Sequence, residues 1–191
     1  RTTAVTINNC SNSCCAKTKV LPQFQPPLLS EPLTRAWRRA PEIGPYVDVG
    51  PAQMRKGPFW FRGTADAVFQ NLELIFDERP EQVCVFGGDH IYKMDYAKMI
   101  AFHCERRADL TIACIPVPVS EASEFGVMHV DAEGRVSSFL EKPKDPPPMP
   151  DNPAMSLASM GIYVFATDVM YELLFRDAAK QESSGHDLGR D

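Results

Sequence analysis

The sequence predicts an α/β domain with a mostly parallel sheet, and three features of its 191 residues support this fold class. From residue 59 onward, short apolar runs alternate with segments in which apolar residues recur at helical spacing. The runs are continuous, as expected for strands that are covered on both faces of a parallel sheet. Their strand–helix–strand order favours helices that pack against that sheet.

The elements follow in order from local patterns. Residues 64–76 predict a helix, because their apolar side chains share one face and Thr64 is a suitable N-cap. Gly87 and Gly88 end the first buried strand with a tight turn. The remaining patterns predict strands at 83–86, 110–119, 126–130, 135–141 and 157–165, helices at 96–106 and 167–175, and a proline-rich loop at 143–153.

Residues 1–58 differ in character from the rest of the chain. They lack clear periodicity, and prolines interrupt them, which removes backbone donors and disrupts helices. We therefore expect an irregular segment over residues 1–58 and the core of the domain over residues 59–191. These prolines include Pro22, Pro26, Pro27, Pro32, Pro41, Pro45 and Pro51.

The composition argues against several kinds of partner. The net charge is −5 and the isoelectric point is near 5.4, whereas nucleic acids and anionic membranes select a basic face. No apolar run approaches the ~20 residues that a membrane-spanning helix requires. We therefore expect neither a nucleic-acid partner nor a membrane partner.

Six cysteines raise the question of metal or disulfide chemistry. Cys84, Cys104 and Cys114 lie in apolar segments, where a free cysteine behaves as a small hydrophobic residue. A cluster near the beginning of the sequence lacks the paired spacing of a zinc site, and no histidine follows at ligand distance. This cluster consists of Cys10, Cys14 and Cys15. Its sequence pattern favours neither a metal site nor a disulfide.

The beginning of the sequence has two interpretations. The first residue is arginine, and no acidic residue precedes Glu31. A composition rich in serine, threonine, asparagine and lysine is typical of a transit peptide. The alternative is that the sequence is an internal part of a longer chain.

Two charged residues at strand ends could carry chemistry, since ligands of α/β sheets bind outside the carboxyl ends of strands. Asp89 follows a buried strand through two glycines, so it could bind a hard cation such as Mg²⁺, or it could belong to a plain turn. Lys142 could bind a phosphate as a point charge, although the pattern alone favours an ordinary exposed lysine.

Further candidates lie near a helix start and within a strand. Residues 60–64 precede a helix N-terminus, which could attract an anion or could be a capped helix beside an aromatic core. Ser159 and Gly161 could make room for a ligand or fill small core positions. The four histidines match no pattern for acyl transfer or zinc hydrolysis.

Five strings together closely resemble the catalytic domain of the ADP-glucose pyrophosphorylase (glucose-1-phosphate adenylyltransferase) family. SSGHDLGRD at 183–191 is also similar to that family's SxHDFGxD stretch. The order and spacing match throughout residues 57–191. The five strings are WFRGTADAV (60–68), GGDHIYKMDY (87–96), EASEFGVMHVD (121–131), FLEKP (139–143) and SLASMGIYVF (156–165).

The resemblance implies a doubly wound, Rossmann-like nucleotidyltransferase domain. The implied reaction joins ATP and α-D-glucose 1-phosphate into ADP-glucose and pyrophosphate, the first committed step of glycogen or starch synthesis. Mg²⁺ would be the cofactor, held by Asp89, while Lys142 would bind the phosphate of the sugar and Glu141 its hydroxyls. The implied sugar-phosphate pocket comprises Phe61, Gly126, Glu141, Lys142 and Ser159, and the implied nucleotide contacts comprise Trp60, Arg62, Gly63, Thr64, Gly88 and Asp89.

The sequence departs from the family pattern in places. Phe61 stands where many bacterial members have tyrosine, so the ring is kept and the hydroxyl is lost. The family's glycine-rich loop, GGxGTRLxPLT, is not found in the sequence, and residues 9–13 are similar to the SNCxNS string that follows it. We therefore expect a fragment of the catalytic domain, incomplete at both ends and lacking the family's left-handed β-helix, rather than a transit peptide. Such a fragment is expected to be inactive alone, because the loop cradles the triphosphate.

For a full-length form, the resemblance implies a homo- or hetero-tetramer in the bacterial cytoplasm, or in a plastid. Two alternatives stay open. A related pyrophosphorylase could use UTP, CTP or dTTP, because base choice depends largely on the N-terminal part of the family domain. The second alternative is a non-catalytic regulatory subunit, although the presence of both Asp89 and Lys142 weighs against it.

Overall fold

The computed structural model describes residues 2–13, 15–23, 26–37, 46–50, 52, 60–89, 91–180 and 184–189. In this part of the chain, no helix is both long and apolar enough to cross a membrane. The elements are, in order, α1 (Thr2–Asn12), β1 (Lys17–Val20), α2 (Pro26–Trp37), β2 (Tyr46–Val49), α3 (Thr64–Phe69), α4 (Glu73–Phe76), β3 (Gln82–Phe86), α5 (Tyr96–Arg106), β4 (Leu110–Pro118), β5 (Gly126–Val130), β6 (Val136–Glu141), β7 (Met155–Ala166) and α6 (Thr167–Ala178).

The long strand β7 organises a five-stranded sheet. β4 pairs along one edge of β7. On the opposite edge, β3 pairs with the C-terminal half of β7 and β5 pairs with its N-terminal half. The two edges are distinct because Ala158 and Phe165 each have a partner in β4 and a second partner on the other side. β6 completes the sheet as the outer strand of a hairpin with β5.

The α/β class is confirmed, while the strand directions correct one part of the prediction. The five-stranded sheet is built from antiparallel pairs rather than mostly parallel ones, and β1 pairs with β2 in parallel. β3 and β4 both run against β7 and so share a direction, as expected for strands joined by a helix, α5. Between β4 and β7 the chain forms the β5–β6 hairpin, so it returns without a helical crossover and enters the sheet antiparallel.

Helices cover both faces of the sheet, in agreement with the doubly wound arrangement that the resemblance implies. Successive residues of β7 point to opposite faces. Tyr163 and Phe165 pack in one core with residues of α3 and α6. Ile162 and Val164 pack in a second core with Met99 of α5. Alternation along a single strand therefore supplies both cores.

The helix predicted over residues 64–76 is divided into α3 and α4 by a turn at residues 70–72. The side chain of Asn71 donates a hydrogen bond to the carbonyl oxygen of Ala67 at 2.8 Å. The backbone amide of Asn71 donates to the carbonyl of Val68. An asparagine side chain that bonds to the backbone competes with helical hydrogen bonding. Asn71 therefore interrupts the helix, although the apolar periodicity continues on both sides of the break.

The expectation of an irregular segment over residues 1–58 is wrong for its described part, which holds α1, β1, α2 and β2. Pro32 lies inside α2. Pro26 and Pro27 occupy the first turn of this helix, where backbone amides have no intrahelical partner to lose. Only Pro32 therefore removes an interior donor of α2. The predicted boundary at residues 58 and 59 lies outside the described residues.

Replacing Ile162 with alanine is expected to lower the free energy of unfolding by about 2–5 kcal/mol. Its side chain is 0% exposed, so the change leaves a cavity between β7 and α5. Ile91 is 73% exposed, and Ile91→Ala is expected to stay within about 0.5 kcal/mol of the parent chain. Urea denaturation of the three chains measures both effects, and equal losses would contradict this assignment of the core.

Candidate active site

The two strands on one edge of β7 leave a gap opposite its centre. β3 ends at Phe86, opposite Ile162. β5 joins the same edge with Val127 opposite Ala158. Residues 159–161 of β7 therefore face two strand ends on that edge. Ligands of α/β sheets bind where strand ends diverge in this way.

Asp89 lies beyond the β3 end of this gap. It follows β3 through Gly87 and Gly88, and its side chain is exposed. α1 supports the turn, since the hydroxyl of Thr6 donates to the carbonyl of Gly87 at 3.5 Å and Thr3 lies 3.9 Å from the position of a Cβ at Gly88. The packed turn presents the carboxylate of Asp89 at the surface.

Glu141 and Lys142 lie at the β6 side of the gap. Glu141 pairs with Gly126, and a Cβ at Gly126 would stand 2.6 Å from the ring of Phe139 and 3.1 Å from Oε2 of Glu141. Lys142 has a φ of +45°, which is uncommon for a residue with a side chain. Its amide donates to the carbonyl of Phe125 at 3.0 Å. A strained backbone at a charged residue is a reason to expect function there.

The strand β7 is irregular at the gap. Gly161 has a φ of +64°, a conformation that glycine adopts readily. The amide of Gly161 donates to Oγ of Ser159 at 3.2 Å, and the pairing with β4 shifts register between Ile112 and Cys114. In a regular strand, residues four apart are separated by about 13 Å. The irregularity instead leaves Ser159 close enough to Tyr163 to affect the pKa of its hydroxyl.

The hydroxyl of Tyr163 meets polar groups from several parts of the chain. Ser159 and the carboxylates of Asp187 and Glu141 all lie close enough to affect its pKa. A Cβ at Gly189 would stand 2.9 Å from the same oxygen. Burial is the main cause that raises the pKa of Tyr163, and the carboxylates raise it further, while Ser159 lowers it. The phenol is therefore protonated at neutral pH and can donate a hydrogen bond.

The N-terminus of α3 binds the chain's own backbone. The amides of Ala65 and Asp66 donate to the carbonyl oxygen of His186 at 2.8 and 3.4 Å. A Cβ at Gly63 would stand 2.2 Å from that oxygen, so only glycine fits there. The hydroxyl of Thr64 donates to Oδ2 of Asp187 at 3.0 Å. The N-cap is Gly63 rather than the predicted Thr64, and the carbonyl of His186 occupies the amides that an anion would use at this helix end.

The remaining residues of 60–64 differ in exposure. Trp60 is 50% exposed, whereas Phe61 is buried. The side chain of Arg62 is exposed, while its amide donates to Oδ2 of Asp66 at 2.8 Å. Trp60 and Arg62 thus present side chains to solvent near the start of α3.

A buried pair fixes the segment that carries Asp187. Nδ1 of His186 lies 2.7 Å from Oδ2 of Asp177, at the end of α6. The hydroxyl of Ser184 donates to Oδ1 of Asp177 at 2.6 Å. Burial acts to raise the pKa of Asp177, but the bonds from Ser184 and His186 and the charges of His186 and Lys180 lower it overall. Asp187 is thus held beside Tyr163 by a network anchored in α6.

Glu141 and Ser159 belong to the pocket that the resemblance implies, whereas Tyr163 and Asp187 enter the candidate site only through the structure. Tyr163 lies in an apolar run, and its pattern is that of a core residue. The available signal was Gly161, because glycine inside a strand pattern often marks a bulge or a close approach. Asp187 joins the cluster only through the packing of the segment 184–189 against α3.

The charge of Asp177 is expected to stabilise the fold in a pH-dependent way. Its folded pKa lies below the ordinary value of 3.8, so its contribution is present above that pH and is lost as the pH falls through the folded value. Asp177→Asn should lower the free energy of unfolding at pH 7 by about 1–3 kcal/mol, because the bonds with His186 and Ser184 weaken. Urea unfolding at pH 7 and at low pH measures the effect.

The matched control is Glu172→Gln, an exposed position on the same helix, where a change within about 0.5 kcal/mol is expected. A loss in the Asp177 variant that is equally large at both pH values would contradict the electrostatic origin of the effect.

Comparison with known proteins identifies the family. A model described as nucleotidyl transferase matches residues 1–191. The chain is 49% identical over 185 residues to a glucose-1-phosphate adenylyltransferase of Anaeromyxobacter dehalogenans, covering 96% of this chain and 45% of the relative. It is 51% identical over 187 residues to the enzyme of that name from Paraburkholderia phytofirmans, covering 97% and 44%. The chain thus spans less than half the length of these relatives. Because the family model covers all 191 residues, the chain belongs to the nucleotidyl transferase family.

Proposed function

We propose that this protein transfers an adenylyl group from ATP to α-D-glucose 1-phosphate, giving ADP-glucose and pyrophosphate. The observation that carries the proposal is the polar cluster at the β7 gap, formed by Glu141, Ser159, Tyr163 and Asp187. The names of the relatives support the same substrate pair. Those relatives are more than twice as long as the segment that matches this chain. We therefore propose turnover for a chain of the relatives' full length.

The cluster at the gap suits a sugar. Glu141 and Asp187 can accept hydrogen bonds from hydroxyls, and protonated Tyr163 can donate one. Charge-assisted hydrogen bonds of this kind are the stronger ones. At Gly126 a Cβ would collide with the ring of Phe139 and crowd Glu141, so glycine allows these two side chains to pack against the strand. Lys142 follows at the strand end with an exposed ammonium, which suits the phosphate of the sugar.

The position of Asp89 suits a metal ion. Proteins of this family generally use a divalent metal, and we propose Mg²⁺ with Asp89 as its protein ligand. Within the described residues, no three metal-ligating side chains converge. A single exposed carboxylate fits Mg²⁺, which commonly takes one or two carboxylates and completes its shell with phosphates and water. When bound, the ion would neutralise charge on the phosphates of ATP.

The chain's own residues act by positioning and by charge. An oxygen of the sugar phosphate attacks the α-phosphorus of ATP, one O–P bond forms, and the bond to pyrophosphate breaks. Glu141 and Asp187 hold the sugar and Lys142 holds its phosphate, so that the attacking oxygen is aligned. Alignment and electrostatic stabilisation together account for most catalysis of this kind.

Contacts with the nucleotide are proposed for residues near the start of α3 and beside Asp89. Trp60 and Arg62 have exposed side chains that could reach it. Gly88 allows close approach to the phosphates beside Asp89. The atoms of Gly63 and Thr64 face the segment 184–189, so we propose an indirect role for these two through Asp187.

Two further proposals concern the assembled protein. The relatives named above are bacterial, which favours a bacterial cytoplasm over a plastid. A homo- or hetero-tetramer is the assembly that the sequence resemblance implies. Gel filtration with light scattering on a chain of the relatives' length tests the second of these.

Binding of glucose 1-phosphate can be tested on the 191 residues themselves. Lys142→Gln should weaken binding about 10–100-fold, because the charge-assisted contact with the phosphate is lost. Lys144→Gln, an exposed lysine two residues further on, should bind like the parent chain. Isothermal titration calorimetry with glucose 1-phosphate, and with galactose 1-phosphate as a decoy, measures this. Equal weakening in both variants would count against Lys142 as the phosphate ligand.

Turnover is tested on a chain of the relatives' length. Asp89→Asn should reduce pyrophosphate release at least about 10³-fold, as for loss of a group that stabilises transition-state charge. Its unfolding free energy should change little, because the side chain is exposed. Competition among ATP, UTP, CTP and dTTP shows whether ATP is preferred. A wild-type chain that is inactive yet activates a partner subunit would favour a regulatory role.

A further inference from the structure

Two cysteines meet at the end of α1. The amides of Ser13 and Cys15 both donate to the carbonyl of Cys10, at 3.1 and 3.2 Å. The bond from Cys15 spans five residues just after the helix ends at Asn12. This is the closure of a Schellman-type helix end, in which the side chains at these two positions typically touch. Here both positions carry thiols, and both are free.

The two thiols differ in ways that suit redox chemistry. Cys10 is 1% exposed, while Cys15 is half-buried. The nearby thiol of Cys10 lowers the pKa of the Cys15 thiol, whereas the nearby thiol of Cys15 and burial both raise the pKa of Cys10. Thiols that are accessible, rich in thiolate and close to a second cysteine are the ones most readily oxidised.

A third cysteine nearby does not share these properties. Cys84 lies in β3, and burial raises the pKa of its thiol to about 12. It lies close enough to interact with Cys10 and Cys15. The described residues contain no group of three side chains that could hold a metal ion. Oxidation of the first pair is therefore better supported than metal binding.

We propose that Cys10 and Cys15 form an oxidisable pair that hydrogen peroxide converts into an intrachain disulfide. The thiolate of Cys15 attacks one oxygen of the peroxide, the O–O bond breaks, and a sulfenic acid forms as water leaves. The sulfur of Cys10 then attacks the sulfur of Cys15, the S–S bond forms, and the S–OH bond breaks. The hydroxide leaves as water with the proton of Cys10. Two thiols lose two electrons, and one peroxide becomes two waters.

Cys10 lies in the helix that supports the turn before Asp89, and Cys15 lies just after the end of that helix. The side chain of Asn9 donates to the carbonyl of Tyr92 at 2.9 Å, and the amide of Tyr96 donates to Oγ of Ser13 at 2.8 Å. With the contact from Thr6 to Gly87, α1 touches the chain on both sides of Asp89. The end of α1 is therefore joined by direct hydrogen bonds to the chain around the turn that carries this carboxylate.

Peptide mapping of the peroxide-treated chain tests the proposal. The chain is treated with a small excess of hydrogen peroxide, alkylated, digested with trypsin and fragmented in the mass spectrometer. A bridged peptide, lighter by about 2 Da, with the linkage between Cys10 and Cys15, is expected. Cys10→Ser and Cys15→Ser should each reduce it at least about tenfold, and dimedone should trap a sulfenic acid at Cys15 in the first variant.

The controls separate this linkage from others. Cys14→Ser should keep the bridge, and so should Cys104→Ser, at an exposed position. A bridge that contains Cys14 or Cys84 would overturn the proposal, as would an unbridged wild-type chain in which Cys15 reacts no faster with peroxide than Cys104. The mapping of the wild-type chain decides between these results even if a serine variant fails to fold. Neither outcome depends on the proposed adenylyl transfer.

Discussion

The pairing of β7 with three other strands is the constraint on which the rest of the domain depends. One edge of β7 holds β4, and the other holds β3 and then β5. Because two strands share one edge, a gap must occur between them. The gap brings the end of β3, the β5–β6 hairpin and the centre of β7 together. The candidate site therefore lies within the sheet itself, where the pairing of strands along one edge of β7 is interrupted.

The irregular centre of β7 converts the gap into a polar cluster. In a regular strand, Ser159 and Tyr163 would be separated by about 13 Å. Gly161 has the left-handed conformation that makes the strand irregular between them, and Ser159 lies close enough to Tyr163 to affect its pKa. The network of His186 and Asp177 then adds Asp187 from a segment distant in sequence. The cluster thus combines local backbone geometry with a contact that only the folded chain provides.

The turn that carries Asp89 depends on a different part of the structure. α1 contacts the chain on both sides of this residue. The same helix ends in the closure that joins Cys10 and Cys15. The spacing of these two cysteines matches no metal or disulfide motif, so no sequence pattern indicates that they lie close together. The geometry of the helix end brings them close, because it reverses the chain direction within a few residues.

The sequence by itself determined the α/β class, the order and approximate bounds of the elements from residue 60 onward, and the place of Asp89 and Lys142 at strand ends. Local propensity and apolar periodicity govern these features, so they can be read from neighbouring residues. Tertiary structure decided the antiparallel pairing of β7 and the position of Tyr163 and Asp187 beside the candidate site. Those features depend on hydrogen bonds between segments far apart in sequence, which no local pattern specifies.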